Sequence, residues 1–359
     1  MEKVYDIHVH YTFDIPLNET IDIFKEEFSK TGTEKFCFLS VPHHGSHNEG
    51  VSFDEMQNVK GLFLKKVFGD NAYAFAHLEH PVSHDDTEKC ANDFLNQAKE
   101  FLSAGYDGFK MLEGYPSIVK GWNLSVDSPV YDKFYSYMEE GGYPIIMHIA
   151  NPEENWDIES VPEYARQAGR FYDESYPTKA ALTASVLNVM KKHPRLKLLL
   201  AHMGFFSYDI NEALEFMSYP NTMLDVTPGG EQLINMKARW DIWLPFFEKY
   251  QDRIFYGTDF YAFPKDDNFE VAFNRRPTFV HQFFETDTEH DYLGERFSGV
   301  KIDKSIRDKI YRENFSALFK ERKNIDENYL KEKLISLSSL ENKHSPYADF
   351  DIAYMLENL

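Results

Sequence analysis

Eight short apolar runs, each followed by a stretch of helical character, most constrain the fold of this 359-residue chain. The runs predict strands over residues 4–10, 35–41, 72–77, 108–112, 144–149, 196–202, 222–227 and 253–258. Helical patterns lie between them, for example over 92–104, 129–140, 178–192, 210–218 and 240–250. Alternation of nearly continuous apolar strands with helices predicts a parallel sheet covered on both faces. Eight such repeats predict a (β/α)8 TIM barrel, of about 250 residues before insertions.

Composition and charge exclude several classes of protein. The chain is 43% hydrophobic, which suffices for a large core, and its net charge of −21 argues against binding to nucleic-acid phosphates. No apolar run approaches the ~20 residues that cross a bilayer, and the first residues lack a signal-peptide pattern. Cys37 and Cys90 have neither metal-site nor redox spacing, which fits a reducing compartment. We therefore predict a cytoplasmic enzyme with a small-molecule substrate and neither a nucleic-acid nor a membrane partner.

The chain is predicted to divide at about residue 319. Residues 1–319 carry the barrel pattern, and the charged stretch 320–359 predicts a helical extension that is packed on the barrel or partly mobile. Two long loops, 42–50 and 150–176, follow the second and fifth predicted strands. Both leave from carboxyl ends of strands, where barrel active sites are built.

Five imidazole or carboxylate side chains stand at the ends of four predicted strands: His8 and His10, His148, His202 and Asp259. Because residues i and i+2 of a strand share a face, His8 and His10 point inward together, and barrel closure brings Asp259 beside them. Each residue alone would more often be a core histidine or a helix cap, but several buried polar groups require a shared partner. Three imidazoles and a carboxylate with one open position predict a catalytic metal site.

The arrangement of these motifs resembles the amidohydrolase superfamily. The motifs are the His8-x-His10 pair, the lone His148, Ala201-His202-Met203-Gly204 and Gly257-Thr258-Asp259. More narrowly, the chain is similar to the amidohydrolase-related branch, which holds predicted metal-dependent TIM-barrel hydrolases and the aminocarboxymuconate-semialdehyde decarboxylase group. The resemblance extends from about Val4 to Phe319.

The resemblance implies that His8, His10, His148 and Asp259 bind one divalent ion, most often Zn²⁺, with Mn²⁺ or Fe²⁺ as alternatives. His202 would bind a second metal ion or, in the mononuclear branch, polarise the substrate or water. In two-metal relatives a lysine on the fourth strand is carboxylated and bridges the ions. For Lys110 we favour the alternative, an ordinary ammonium that binds a substrate carboxylate. A homo-oligomer such as a dimer is implied by the resemblance alone.

The predicted activity is that of a metal-dependent hydrolase acting on an amide, lactone or ester. Asp259 would accept a proton from the metal-activated water, and His202 would stabilise the oxyanion or orient the water. The alternative is a carbon–carbon lyase, which at the same metal site decarboxylates an aromatic or unsaturated carboxylic acid non-oxidatively. A binding protein that has lost its chemistry is a third interpretation.

The predicted substrate-binding residues are Lys110, His43, Arg166 and Arg170. A substrate carboxylate requires a cation in this acidic protein, and both arginines lie in the long loop after the fifth strand. Ordinary solvated surface charge is the alternative interpretation for each arginine. His43 begins the loop His43-His44-x-x-His47. Because histidine titrates near neutral pH, this loop could contact substrate or shuttle protons. The alternative interpretation is an ordinary solvated loop.

Overall fold

The computed structural model describes residues 1–42, 51–167, 169–229, 232–263, 271–292, 294–340 and 345–359. The strands are β1 (Val4–His10), β2 (Thr33–Leu39), β3 (Ala72–Ala76), β4 (Gly108–Gly114), β5 (Pro144–Ile149), β6 (Lys197–Leu200), β7 (Thr222–Asp225), β8 (Ile254–Phe255), β9 (Phe260–Tyr261), β10 (Glu289–Tyr292) and β11 (Glu295–Ser298). The helices before β6 are α1 (Leu17–Thr31), α2 (Val51–Phe68), α3 (Thr87–Ala104), α4 (Pro116–Trp122), α5 (Asp132–Gly141), α6 (Glu163–Gln167) and α7 (Lys179–Lys192). Those after it are α8 (Ile210–Met217), α9 (Gln232–Ala238), α10 (Trp240–Tyr250), α11 (Val271–Glu285), α12 (Lys304–Asp308), α13 (Asn314–Leu318), α14 (Glu327–Ser338) and α15 (Ala348–Glu357).

Strands β1 to β9 form one parallel sheet in the order β8-β7-β6-β5-β4-β3-β2-β1-β9. The predicted eighth strand is shorter than expected: within 253–258 only β8 forms, pairing with β7, and a separate strand beyond that range, β9, pairs with β1. The segment between β8 and β9 also bonds to β1: the Ile7 amide donates to the Tyr256 carbonyl at 3.0 Å, and the Asp259 amide donates to the His8 carbonyl at 2.8 Å. These bonds join the last strand to the first, so the predicted (β/α)8 barrel is confirmed.

A β-bulge in β1 orients the two histidines. Asp6 pairs with Phe36 and Val9 pairs with Phe38, so β1 has one residue more than β2 over this stretch. Such an insertion changes which face of the sheet the following side chains occupy. Ile7 belongs to the interior apolar cluster, and the adjacent His8 nevertheless also lines the interior cavity. The His8 amide donates at 2.9 Å to the buried Asp6 carboxylate.

The barrel has an interior apolar layer beneath its polar mouth. That layer consists of Ile7, Cys37, Leu39, Tyr73, Phe75, Ile146, Leu199, Met223 and Phe255, together with Phe315 and Phe319. Phe315 lies in α13 and Phe319 follows it directly, so this helix contributes to the same layer. A second and larger cluster fills the space between the sheet and the surrounding helices.

The C-terminal extension contacts the barrel through buried polar groups. Helix α14 packs on α2, and α15 packs on α1. The Asp351 carboxylate accepts from the Leu17 amide at 2.8 Å and from the Lys60 ammonium at 2.9 Å, and both side chains of this ion pair are fully buried. Lys60 also donates to the Thr12 carbonyl, two residues beyond His10. In the described part of the chain, no helix combines the length and apolar character needed to cross a membrane.

Candidate metal centre

The predicted site residues meet at the carboxyl ends of the barrel strands, around a cavity of about 260 Å³. Its lining includes His8, His10, Lys110, His148, His202 and Asp259, together with Tyr115, Asn151, Asn155, Arg170, Phe205, Tyr261, Phe263 and Arg276. Asp259 is the one carboxyl group among the described residues of this lining. The cavity therefore combines several imidazoles and cations with a single acid.

Hydrogen-bond partners determine which nitrogen of His8 and His10 faces the cavity. The Nδ1 of His10 lies 2.9 Å from the Leu39 carbonyl, which can only accept, so Nδ1 carries the proton. The Nδ1 of His8 lies 2.9 Å from an oxygen of Asp225 and donates to that carboxylate. Both Nε2 atoms are therefore unprotonated and lie 3.0 Å apart, and Nε2 of His8 also accepts from the ammonium of Lys110 at 3.3 Å.

His202 is held in the same tautomer by a neighbouring hydroxyl group. The Thr227 hydroxyl donates its one proton to Asp225, so it accepts from Nδ1 of His202 at 3.0 Å. The Nε2 lone pair of His202 is therefore also free. His202 follows β6 in a left-handed turn, with φ of 57°, and its backbone amide donates to Asp225 at 2.7 Å. Asp225 thus orients His8 and His202 together.

Lone pairs packed this closely favour a bound cation: the Lys110 ammonium donates to Nε2 of His8, but among the described residues no donor reaches Nε2 of His10 or His202. Oδ1 of Asp259 lies 3.3 Å from Nε2 of His10 and 3.5 Å from Nε2 of His8, which adds another acceptor. One ligand atom each from His8, His202 and Asp259 lies within 4.8 Å of the others. Burial holds the pKa of each of the three histidines His8, His10 and His202 well below its ordinary value, so protonation does not relieve the repulsion. Imidazole nitrogens backed by carboxylate or carbonyl acceptors are typical of divalent metal sites, and the residues fit such an ion.

Asp259 divides its two oxygens between different partners. Oδ1 faces the imidazoles, whereas Oδ2 and the backbone carbonyl accept from the guanidinium of Arg276. Burial raises the pKa of the Asp259 carboxyl, and the charge of Arg276 opposes that shift. The residue lies between β8 and β9 and has φ of 52°.

His148 lines the cavity but is oriented differently from the other histidines. Its Nε2 lies 3.0 Å from the carbonyl of Ala150 and donates to it, while the ring centroid lies 5.0 Å from that of His202. Ala150 has φ of 56°, a turn that follows β5 directly. In this rotamer, only Nδ1 of His148 has a free lone pair. His148 therefore lines the cavity with its Nε2 bonded to the backbone.

The other predicted contacts separate into buried and exposed groups. Lys110 lies in the cavity with Nζ 3.3 Å from Nε2 of His8, and burial lowers the pKa of its ammonium to about 8. Arg170 lines the cavity, but Arg166 is exposed and donates instead to the Ile158 carbonyl, so the structure does not bring Arg166 to the site. His43, with the rest of its histidine loop, lies outside the described residues.

Sequence reasoning missed two residues that support the site. Asp225 ends β7. Its position at the end of a strand, like that of the predicted site residues, was the signal that could have identified it. Arg276 lies 17 residues beyond Asp259 on α11, and no local pattern marks it. Side chains that reach the site from outside a barrel strand carry no strand-end signature.

A family model described as Amidohydrolase matches residues 90–320, which is more than half of the chain. The chain belongs to the amidohydrolase family. This confirms the resemblance inferred from the motifs and makes the protein a member of a superfamily of metal-dependent enzymes. The matched segment of this amidohydrolase contains Lys110, His148, His202 and Asp259, whereas His8 and His10 precede it. No significant match to a curated protein was found.

Solved structures similar to this amidohydrolase include enzymes that act on carboxylic acids. The 2,6-dihydroxybenzoate decarboxylase from Rhizobium is 17% identical, with a TM-score of 0.53 over 89% of this chain and 99% of that chain. A dihydroxybenzoic acid decarboxylase from Polaromonas sp. JS666, with bound manganese and 2-nitroresorcinol, is 17% identical, with a TM-score of 0.55 over 89% and 97%. The 4-oxalomesaconate hydratase from Rhodopseudomonas palustris is 15% identical, with a TM-score of 0.53 over 88% and 95%. At these identities the similarity establishes the fold alone.

Proposed function

We propose that this amidohydrolase is a metal-dependent carbon–carbon lyase that decarboxylates a small aromatic or unsaturated carboxylic acid. The observation that carries the proposal is the pair of cations, Lys110 and Arg170, in the lining of the cavity. Among the described residues, no carboxylate pairs with the guanidinium of Arg170, although the chain has a net charge of −21. A guanidinium in such a cavity suits recognition of an anionic substrate. The two dihydroxybenzoate decarboxylases of similar fold support the same substrate class.

We propose that His8, His10 and Asp259 hold one divalent ion, Zn²⁺ or Mn²⁺, with His148 and His202 completing its surroundings. The structure from Polaromonas supports Mn²⁺ as a candidate, since that protein contains manganese. When bound, the ion would supply positive charge that stabilises negative charge developing on the substrate. His148 would require a rotated ring to offer Nε2, because that nitrogen now bonds Ala150. Carboxylated Lys110 with a second ion stays the less favoured alternative.

The residues of the chain would then bind and protonate the substrate. Arg170 and Lys110 attract its carboxylate, and the rings of Phe205 and Tyr261 form apolar walls that exclude water. The carbon–carbon bond breaks, carbon dioxide leaves, and the electron pair stays on the substrate carbon. Asp259, the one carboxyl group in the described lining, would take a proton from solvent and relay it to that carbon.

Hydrolysis is the second candidate function, and one observation favours it. Oδ1 of Asp259 lies 3.3 Å from Nε2 of His10, where it can take a proton from a water molecule that attacks a carbonyl group. The same residues thus serve the amide, lactone or ester hydrolysis predicted from the sequence. A small-molecule substrate, a homodimer and a cytoplasmic location stay predictions.

Carbon dioxide release distinguishes the two functions. The protein loaded with Mn²⁺ or Zn²⁺ is incubated with hydroxybenzoic and unsaturated acids labelled with ¹³C at the carboxyl carbon, and in parallel with lactones, amides and esters. We expect labelled carbon dioxide from at least one acid, and a loss of about 100-fold or more in Asp259→Asn. The exposed Asp85→Asn variant is the matched control. Turnover of a lactone, amide or ester without any carbon dioxide release would refute the lyase proposal.

A further inference from the structure

Arg276 connects the acid of the site to elements outside the barrel strands. It lies on α11, its side chain is only 10% exposed, and it reaches the cavity lining. Its Nη1 donates to the backbone carbonyl of Asp259 at 2.9 Å and also to Oδ2 of the same residue. One guanidinium therefore holds both the main chain and the side chain of Asp259, as a planar group with several fixed donors can.

The guanidinium also has a hydrogen-bond partner outside the barrel, Tyr292. This residue ends β10 of the antiparallel β10–β11 hairpin, and its hydroxyl hydrogen-bonds Arg276. The Tyr292 ring stacks on Phe279 of α11, with ring centroids 4.0 Å apart. The Phe297 ring of β11 packs against Phe279 in a T-shaped arrangement, with ring centroids 4.9 Å apart. Packing of these three buried rings restricts the movement of the Tyr292 side chain.

Asp259 needs an external anchor because the strand does not supply one. It falls in the interruption between β8 and β9, with φ of 52°, a conformation that few non-glycine residues adopt. A hydrogen bond to one carboxylate oxygen restrains rotation of the group and so fixes the direction of the other oxygen. Here Oδ2 is held by Arg276, so only Oδ1 is directed at the nitrogens of His8 and His10.

We propose that Arg276, anchored by Tyr292, is a positioning residue that limits Asp259 to one oxygen toward the metal ion. The inference rests on the metal centre of the proposed function, but it does not depend on whether the reaction is decarboxylation or hydrolysis. The alternative role for a cavity guanidinium is direct binding of a substrate anion. Its bonds to Asp259 and Tyr292 favour positioning, whereas Arg170 has no such bond among the described residues.

Visible absorption of the Co²⁺-loaded protein tests this inference without any substrate. The position and intensity of the Co²⁺ bands report the number and geometry of ligands, and titration gives the dissociation constant. Arg276→Met frees Oδ2, so we expect altered Co²⁺ bands and an affinity ~10–100-fold weaker, as for other groups that orient metal ligands. Arg276→Lys should recover part of the affinity, and Tyr292→Phe should shift the bands in the same direction by less. The adjacent, exposed Arg275→Met is the matched control.

Chemical rescue separates positioning from general destabilisation. In Arg276→Ala, millimolar guanidinium should restore the wild-type Co²⁺ bands, whereas equal sodium chloride should not. If Arg276→Met fails to fold, the Co²⁺ bands and affinities of Arg276→Lys and Tyr292→Phe test the proposal instead. If the folded Arg276 variants show wild-type Co²⁺ bands and an affinity within twofold of wild type, the positioning role of Arg276 is refuted, but the proposed metal centre is not. Absence of divalent-ion binding by the wild-type protein would instead refute the metal centre, and with it both proposals.

Discussion

Replacement of Asp225 by asparagine should weaken metal binding although this residue is not a proposed ligand. Three donors meet at Oδ1 of Asp225: the His202 amide at 2.7 Å, the Thr227 amide at 3.2 Å and the Thr227 hydroxyl. In Asp225→Asn the side-chain carbonyl would stay with these donors, because the amide group cannot accept from them. The new NH₂ group would then face Nδ1 of His8, where Oδ2 accepts now.

Two facing donors cannot coexist, so His8 would have to move its proton from Nδ1 to Nε2. That nitrogen is the one directed at His10 and Asp259, and a protonated Nε2 cannot bind a metal ion. Binding would require the unfavourable tautomer to be restored. Loss of such a supporting acceptor costs about 10–100-fold in affinity, which corresponds to ~1.4–2.7 kcal/mol.

The dissociation constants of Mn²⁺ and Zn²⁺ are measured by calorimetry or by competition with a chelator, for the wild type, Asp225→Asn and the exposed control Asp85→Asn. Circular dichroism verifies that each variant is folded, since Asp225 is fully buried. The control should bind like the wild type. An Asp225→Asn protein that is folded and binds either ion within twofold of the wild-type affinity would show that the tautomer argument is wrong.

Two further predictions follow from the positions of other charged groups. Arg170→Met should raise KM for an anionic substrate by ~10-fold or more, because hydrogen bonds to charged groups contribute about 1.5–3 kcal/mol. Arg166 is four residues away but exposed, so Arg166→Met should leave KM within twofold. Equal effects of the two substitutions in steady-state kinetics would contradict this prediction. Asp351→Ala should lower the free energy of unfolding by about 3–5 kcal/mol, because it leaves the ammonium of Lys60 buried without its partner. Urea denaturation measures this loss, and Lys60→Met/Asp351→Leu should recover much of it; a loss below ~1 kcal/mol in the single variant would mean that the extension contributes little to stability.

The strands and their order were accessible from the sequence because burial on both faces leaves a continuous apolar signal. The first and fifth strands end where the pattern placed them, at His10 and Ile149. The eighth is shorter than predicted, and the pairing with β1 is made by β9, which follows the positive-φ turn at Asp259. The β-bulge that orients His8 was equally invisible, because an extra residue in one strand shows only against its partner.

The sequence by itself determined the barrel and the set of strand-end imidazoles and carboxylate, since both depend on residue types at regular spacing. Only the tertiary structure decided how those groups are used. It showed that Asp225 sets the tautomer of His8, that Arg276 holds one oxygen of Asp259, and that Arg170 rather than Arg166 lines the cavity. Each of these depends on contacts between residues far apart in the chain and on the direction of a side chain, which no local pattern encodes.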